Sequence, residues 1–251
     1  SRTLTIEGAA RYENYSDFGD NLDKKLVLAY RPHEDFLMRA SSSTGFRAPS
    51  LSQSYYTATV SAQYATDRII QAGTFGVYHP VAIALGAQPL KPETSTHHSF
   101  GVVYQPTSDF SLSADYFDTA IDDRIMITGN VSQTVSNQVK AILEQYGVQY
   151  ARYFTNAIAT RTQGVDLRLN FKHNFDHDGK IKSVLSYHYD RTKITDIYPL
   201  ASILGNQTQT AVINDATRAW IESVQPRDAF KMNRSDPTSA PSFFQIIVCF
   251  W

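Results

Sequence analysis

The sequence predicts an all-β fold, an antiparallel transmembrane β-barrel segment of about eight strands. Three observations carry the prediction. Apolar and polar residues alternate along most of the chain, the alternating runs exceed ordinary strand length, and the connections between them alternate short with long.

Taken in chain order, the expected strands are 2–14, 22–31, 36–47, 93–105, 110–127, 159–172, 180–196 and 211–224. In the first, Leu4, Ile6, Gly8, Ala10 and Tyr12 face away from Thr3, Thr5, Glu7, Ala9 and Arg11. In the second, Leu22, Lys24, Leu26, Leu28 and Tyr30 alternate less cleanly with Asp23, Lys25, Val27, Ala29 and Arg31. Phe100, Val102 and Tyr104 share a face in the fourth. The pattern is clearest in the sixth, where Val165, Leu167, Leu169 and Phe171 interleave with Asp166, Arg168, Asn170 and Lys172. Leu185, Tyr187 and Tyr189 repeat it against Ser186, His188 and Asp190. A period of two sends each set to its own face of a pleated strand. Globular strands usually run to about five or six residues. Strands of ten or more suit a tilted wall crossing roughly 25 Å of hydrocarbon.

The connections sort by length. Arg31-Pro32-His33-Glu34-Asp35, Gln105-Pro106-Thr107-Ser108-Asp109 and Gln225-Pro226-Arg227-Asp228 read as compact reversals with Pro at the second turn position. A fourth is expected around Asp178-Gly179, and Asp17 and Asp20 flanking Gly19 read as a hairpin turn. Between them lie long connections near 48–92, 128–158 and 197–210. A barrel with short turns at one rim and long loops at the other gives this order. A soluble β-sandwich would also supply many strands, but has less reason to sort its loops. Within 128–158, Val139 to Tyr146 reads as a short helix ended by Gly147 that stiffens the loop.

Composition narrows the function classes. Of 251 residues, 42% are hydrophobic, 12% aromatic and only 19% charged, which argues against disorder, coiled coil and collagen. A net charge of -1 removes the footprint of a dedicated nucleic-acid binder. Cys249 is the single cysteine, so no internal disulfide and no cysteine zinc cluster forms. No run of 18 apolar residues exists, which excludes a transmembrane helix and leaves a β-barrel open. The chain starts at Ser1-Arg2-Thr3 with no initiator Met or signal-like segment, and is expected to be a processed or internal piece.

No catalytic or cofactor motif is present: there is no G-x-S-x-G elbow, H-E-x-x-H helix, P-loop or Rossmann fingerprint. The expectation is a protein that is not an enzyme and carries neither cofactor nor metal. His173 and His177 with Asp176 and Asp178 read as a solvated turn, and Asp122-Asp123 as a strand end.

Four segments resemble a known family. Thr44 to Leu51 (T-G-F-R-A-P-S-L) is similar to a barrel segment of TonB-dependent outer-membrane receptors. Pro89 to Ser95 resembles the family's L-K-P-E-x-S lead into the next strand. Ser111 to Phe117 with Ile121 to Ile125 resembles its S-A-D-Y-F…I-x-D-R-I strand, and Thr162 to Leu167 its T-x-G-V-[DE]-L strand start. They occur in the family's order over roughly residues 2–232.

The resemblance implies a 22-stranded bacterial outer-membrane barrel around a plug domain. At the present spacing such a barrel needs roughly 600 residues before any plug, so this chain would be about a third of such a protein. It implies active uptake of a scarce ligand, most often a ferric siderophore or other iron complex, driven by the inner-membrane proton gradient through TonB; the alternatives are a passive porin-like barrel and a soluble carbohydrate-binding β-sandwich. The implied partners are that ligand, the protein's own plug, TonB and outer-membrane lipid. Residues 1–233 are assigned to the barrel and 234–251 to an off-pattern tail, expected to be a frameshifted or truncated end because Phe243 to Trp251 is almost continuously apolar.

The candidate ligand-binding residues are Arg47, Tyr55, Tyr56, Tyr78 and His79. The tyrosines lie in a long loop among Ser, Thr, Gln and Ala, where aromatics stack flat ligands or sugars, or pack the loop itself. In haem-importing members of the family, a histidine between F-R-A-P and N-P-N-L segments binds haem iron. His79 lies between Phe46-Arg47-Ala48-Pro49 and Gln88-Pro89-Leu90, which only approximates the second segment. Arg47 is expected on the lumenal wall, or opposite plug carboxylates.

Overall fold

The computed structural model describes residues 3–16, 18–63, 69–174, 180–199, 203–204, 215–223, 228–235 and 244–250. The wall begins with β1 (Thr3–Tyr15), β2 (Gly19–His33) and β3 (Phe36–Arg47). A long connection follows, holding α1 (Leu51–Tyr55), β4 (Ala58–Gln63), β5 (Ile69–Phe75) and α2 (Pro80–Ala84). After β6 (Glu93–Thr107) and β7 (Phe110–Ile127), a second connection holds β8 (Val131–Ser132) and α3 (Asn137–Gln145). Then come β9 (Tyr150–Asn174), β10 (Lys180–Ile197), α4 (Asp215–Ser223), β11 (Asp228–Ser235) and β12 (Phe244–Phe250).

The wall order is β1-β2-β3-β6-β7-β9-β10-β11-β12, with every neighbour antiparallel. This is one open sheet rather than two packed ones. Its registers turn the sequence alternation into two faces. One row reads Leu4, Tyr30, Met38, Val102, Ala114, Leu167, Tyr187, Phe230 and Val248, apolar or aromatic on all nine strands. The adjacent row reads Thr5, Ala29, Arg39, Gly101, Asp115, Asp166 and His188 over the first seven strands. A one-residue step therefore exchanges the apolar face for the polar one, which fixes the register. Leu4, Ile6, Leu26, Phe100 and Tyr116 are all exposed, as a lipid-facing band requires.

The short reversals are tighter than expected. His33 pairs with Phe36, leaving Glu34 and Asp35 as the turn, and Thr107 pairs with Phe110 around Ser108 and Asp109. Pro32 and Pro106 thus sit not in the turns but inside β2 and β6, where the register shifts between Tyr30 and His33 and between Tyr104 and Thr107. Proline has no N–H to give the ladder, so it occupies the interruption. The turn expected at Gln225-Pro226-Arg227 and the residues around Asp178-Gly179 lie outside the described residues, as does Asp17.

Three expectations need correction. The 211–224 segment contains no strand in its described part, Asp215–Ser223, which is the helix α4. Its apparent alternation conceals an i,i+4 pair, Arg218 with Glu222 at 3.8 Å. Ile221 packs with Ala157 and Ile158, and Glu222 Oε1 accepts the Ile194 N–H at 3.1 Å beside a β-bulge. Tertiary contacts thereby favour a helix over the two-residue pattern. The connection expected over 128–158 ends at Gln149, because β9 begins at Tyr150 and rises beyond the wall. There Ala72 to Phe75 of β5 run parallel to Tyr150 to Tyr153. Finally, the 48–92 connection is not mere loop, since β4 pairs antiparallel with β5 and carries it onto β9.

A single-layer wall has no interior, so the hydrophobic core sits in the loops. Phe75, Val77, Val81, Leu85, Val139 and Leu143 are its centre. Val139 and Leu143 lie one helical turn apart on α3 and are fully buried, each worth about 1.5–3 kcal/mol. The helix falls one or two residues from its expected bounds and is followed by Gly147, whose φ of 68° lets the chain turn away. No helix among the described residues is long and apolar enough to cross a membrane.

Candidate ligand-facing site

Two surfaces present candidate residues: the polar face of the wall, and the folded loop layer that caps its long-loop rim. On the wall, Arg39 Nε and Nη2 donate to the two carboxylate oxygens of Asp115 at 2.9 and 2.7 Å. His188 bridges two carboxylates, Nδ1 to Asp166 and Nε2 to Asp190 at 3.2 Å. Its ring lies nearly parallel to Phe117, with centroids 6.0 Å apart. Basic and acidic groups thus meet across the ladder, on adjacent strands for His188 with Asp166 and two strands apart for Arg39 with Asp115. On the apolar face just above the band, Arg161 forks onto Asp118 at 2.9 and 2.5 Å, and Gln163 donates to both Asp118 and the Tyr116 hydroxyl.

Arg47 ends β3 opposite Glu93. Its Nη2 donates to Glu93 Oε1 at 2.6 Å, and the same oxygen accepts the Ile125 N–H at 2.8 Å. Glu93 is buried while the Arg47 side chain is 65% exposed, and of its guanidinium donors only Nη2 is engaged by Glu93, which leaves others for a further acceptor. Asp123 stands at the adjoining bulge of β7 with a φ of 54°, its carbonyl accepting from Asn156 Nδ2 at 2.6 Å.

Tyr55 and Tyr78 come together, from the end of α1 and the residues before α2. Their rings stack at 5.1 Å with an interplanar angle of 24°, and both remain largely exposed. Two local devices place them. Ser50 and Gln53 form a capping box that starts α1. Gly76 lets the chain approach so closely that a Cβ there would strike the Ser54 carbonyl and the Tyr55 backbone. Tyr56 ends α1 and is exposed, without a ring partner among the described residues.

His79 is separated in role from the tyrosine beside it. It is the N-cap of α2, where Nδ1 accepts the Val81 N–H at 3.3 Å. Its ring stacks on Phe75 at 4.6 Å and meets Tyr146 edge-on at 6.1 Å. Of the five expected residues, the fold therefore unites Tyr55 with Tyr78, leaves Tyr56 nearby, turns His79 into the loop core and ties Arg47 to the wall. Among the described residues, no three His, Cys, Asp or Glu side chains converge as metal ligands.

Glu93 was missed by sequence reasoning, although its lead-in segment was noticed; the signal was register, since Arg47 and Glu93 close the same hairpin rim. Tyr153 was also missed. It stands in the part of β9 above the wall, almost fully buried, with its hydroxyl donating to the Leu85 carbonyl at 3.3 Å. Burial pushes its phenol up to about 12.

Residues 2–231 match the family described as TonB dependent receptor-like, beta-barrel. No curated protein matches the chain by sequence. Among solved structures, the chain is similar to the siderophore receptor PirA from Acinetobacter baumannii, with a TM-score of 0.57 at 14% identity, over 97% of this chain and 30% of that one. It is similar to a mutant of the ferric enterobactin receptor PfeA from Pseudomonas aeruginosa, solved in complex with enterobactin, with a TM-score of 0.58 at 15% identity over 97% and 30%. The RagAB peptide transporter gives 0.58 at 13% identity over 93% and 29%. The chain thus spans about 30% of the length of these structures. At such identities the likeness is one of fold.

Proposed function

The chain belongs to the TonB-dependent receptors of the bacterial outer membrane, within their β-barrel, and from that premise we propose that it supplies wall and outer loops to a receptor that imports a scarce ligand. The ligand we propose is a ferric siderophore or other iron complex. Loops and plug capture it, energy arrives through TonB, and rearrangement of the plug lets it pass. The reading is supported by the family match and by siderophore receptors among the structural neighbours.

One observation carries the capture step: the exposed Tyr55–Tyr78 stack, held on a folded loop layer. An aromatic pair fixed in place before binding offers a flat apolar face at little entropic cost. Arg47 adds a cation at the wall, Tyr56 extends the aromatic surface and His79 holds the loop shape that presents them.

Uptake of radioactive iron by cells expressing the full-length receptor tests this. Import should require TonB, and Tyr55→Ala with Tyr78→Ala should weaken ligand binding by about ten-fold while the barrel still folds. TonB-independent import, or unchanged affinity in the double variant, would overturn it.

A further inference from the structure

The two long connections are nearly free of charge. Among their described residues, 48–63, 69–92 and 128–149, only Lys91, Lys140 and Glu144 carry one. Lys140 and Glu144 face each other at 3.7 Å along α3. Asp67 and Arg68, outside the described residues, cancel in sign.

Between these connections opens a cleft of about 420 Å³, within the usual range for small-molecule sites. Ile69 and Ile70 form one side at the start of β5. Ser132, Gln133 and Thr134, at and after β8, form another, and Gln149 and Tyr150 complete it. None of these residues is Asp, Glu, Lys, Arg or His.

Hydrogen bonds hold the two amides in defined orientations. Gln149 Oε1 accepts the Gln71 N–H at 2.6 Å, and Gln133 Nε2 donates to the Val148 carbonyl at 3.0 Å. That leaves Gln149 Nε2 as a donor and Gln133 Oε1 as an acceptor, neither with a partner among the described residues. The Ser132 and Thr134 hydroxyls bond each other at 2.5 Å and keep further acceptor capacity. The Tyr150 hydroxyl adds a donor, and the two isoleucines supply apolar contact.

We infer that this cleft is a ligand subsite for an uncharged group bearing hydroxyls or amides, and that it selects electrically neutral ligands over anionic ones. An anion entering it would lose hydration without meeting a counter-charge. A neutral polar group exchanges its water for donors and acceptors already in place. The inference rests on the proposed capture of a ligand by the loops and narrows that ligand's chemistry. Two sources share this chemistry: a ferric complex in which three hydroxamates cancel the charge of iron, and a neutral oligosaccharide.

The test measures affinity of the full-length receptor in detergent for ferrichrome, maltohexaose and the anionic ferric enterobactin, in wild type and in Tyr150→Phe with Thr134→Val. One neutral probe should bind at least about ten-fold more tightly than ferric enterobactin, and the double variant should weaken that probe by roughly five- to ten-fold. Which neutral probe binds identifies the source. Ferric enterobactin binding best would overturn the subsite and leave the receptor reading standing. Binding of none of the three would overturn both. A neutral probe whose affinity ignores the double variant would also overturn the subsite.

Discussion

Arg39 and Asp115 lie two strands apart and are joined over Gly101, which sits between them in the same register row. A Cβ at Gly101 would run into the Asp115 carboxylate and crowd Arg39 Nε. Because the Arg39 side chain is about half exposed (51%), the pair itself adds little, about 1 kcal/mol or less. Gly101→Val should therefore destabilise the wall more than Asp115→Asn does, by about 1–3 kcal/mol. Urea unfolding of the receptor in detergent, followed by band-shift electrophoresis, measures the order.

Glu93 and Arg47 should respond unequally to truncation. Glu93→Ala removes the acceptor of both the Arg47 guanidinium and the Ile125 N–H, stranding a buried backbone donor at about 1–3 kcal/mol. Arg47→Ala leaves Glu93 still bonded to Ile125 and should cost about 1 kcal/mol or less. Hydrogen exchange at the Ile125 amide reads the difference directly: faster in the glutamate variant, near wild type in the arginine variant.

Adjacent residues on β2 should differ sharply. Leu28 belongs to the apolar face, whereas Ala29 shares a row with Arg39 and Asp115. Arginine at Leu28 should cost about 2–4 kcal/mol near the bilayer midplane. Arginine at Ala29 should be tolerated. Refolding yields into lipid vesicles compare the two, and equal yields would mean that the faces are misassigned.

Tyr153 makes the loop layer sensitive to strong alkali. Its folded-state pKa stands above the ordinary value, so the neutral phenol is the form the fold prefers. Loop-layer stability is full below about pH 10 and falls progressively as pH rises through about 12, by an amount on the order of 3 kcal/mol. Ultraviolet titration should show a tyrosine that ionises near pH 12 and is missing from Tyr153→Phe.

The wall was legible because strand periodicity is local. Leu167 and Tyr187 announce the apolar face from their immediate neighbours, and pairing merely aligns rows already present. The loop layer was not, because its order comes from distant partners. Phe75 joins β5 to Tyr153 of β9, and the Tyr55–Tyr78 stack depends on the close approach at Gly76. Asp215 to Ser223 misled for the same reason, since Ile221 finds its burial against Ala157 and Ile158 from another part of the chain. Among the candidate site residues, the aromatic character of the loop was visible in the composition. The conversion of His79 into a helix cap was not.

The 25 residues of β9 would extend about 80 Å, whereas a strand tilted through the hydrocarbon needs only ten or so. Its upper third is therefore a mast standing clear of the bilayer, and β5, β8 and the helix-bearing loops are rigged to it. The loop layer thus hangs on a strand that also builds the wall, so the shape offered to a ligand and the frame that crosses the membrane share one piece of backbone.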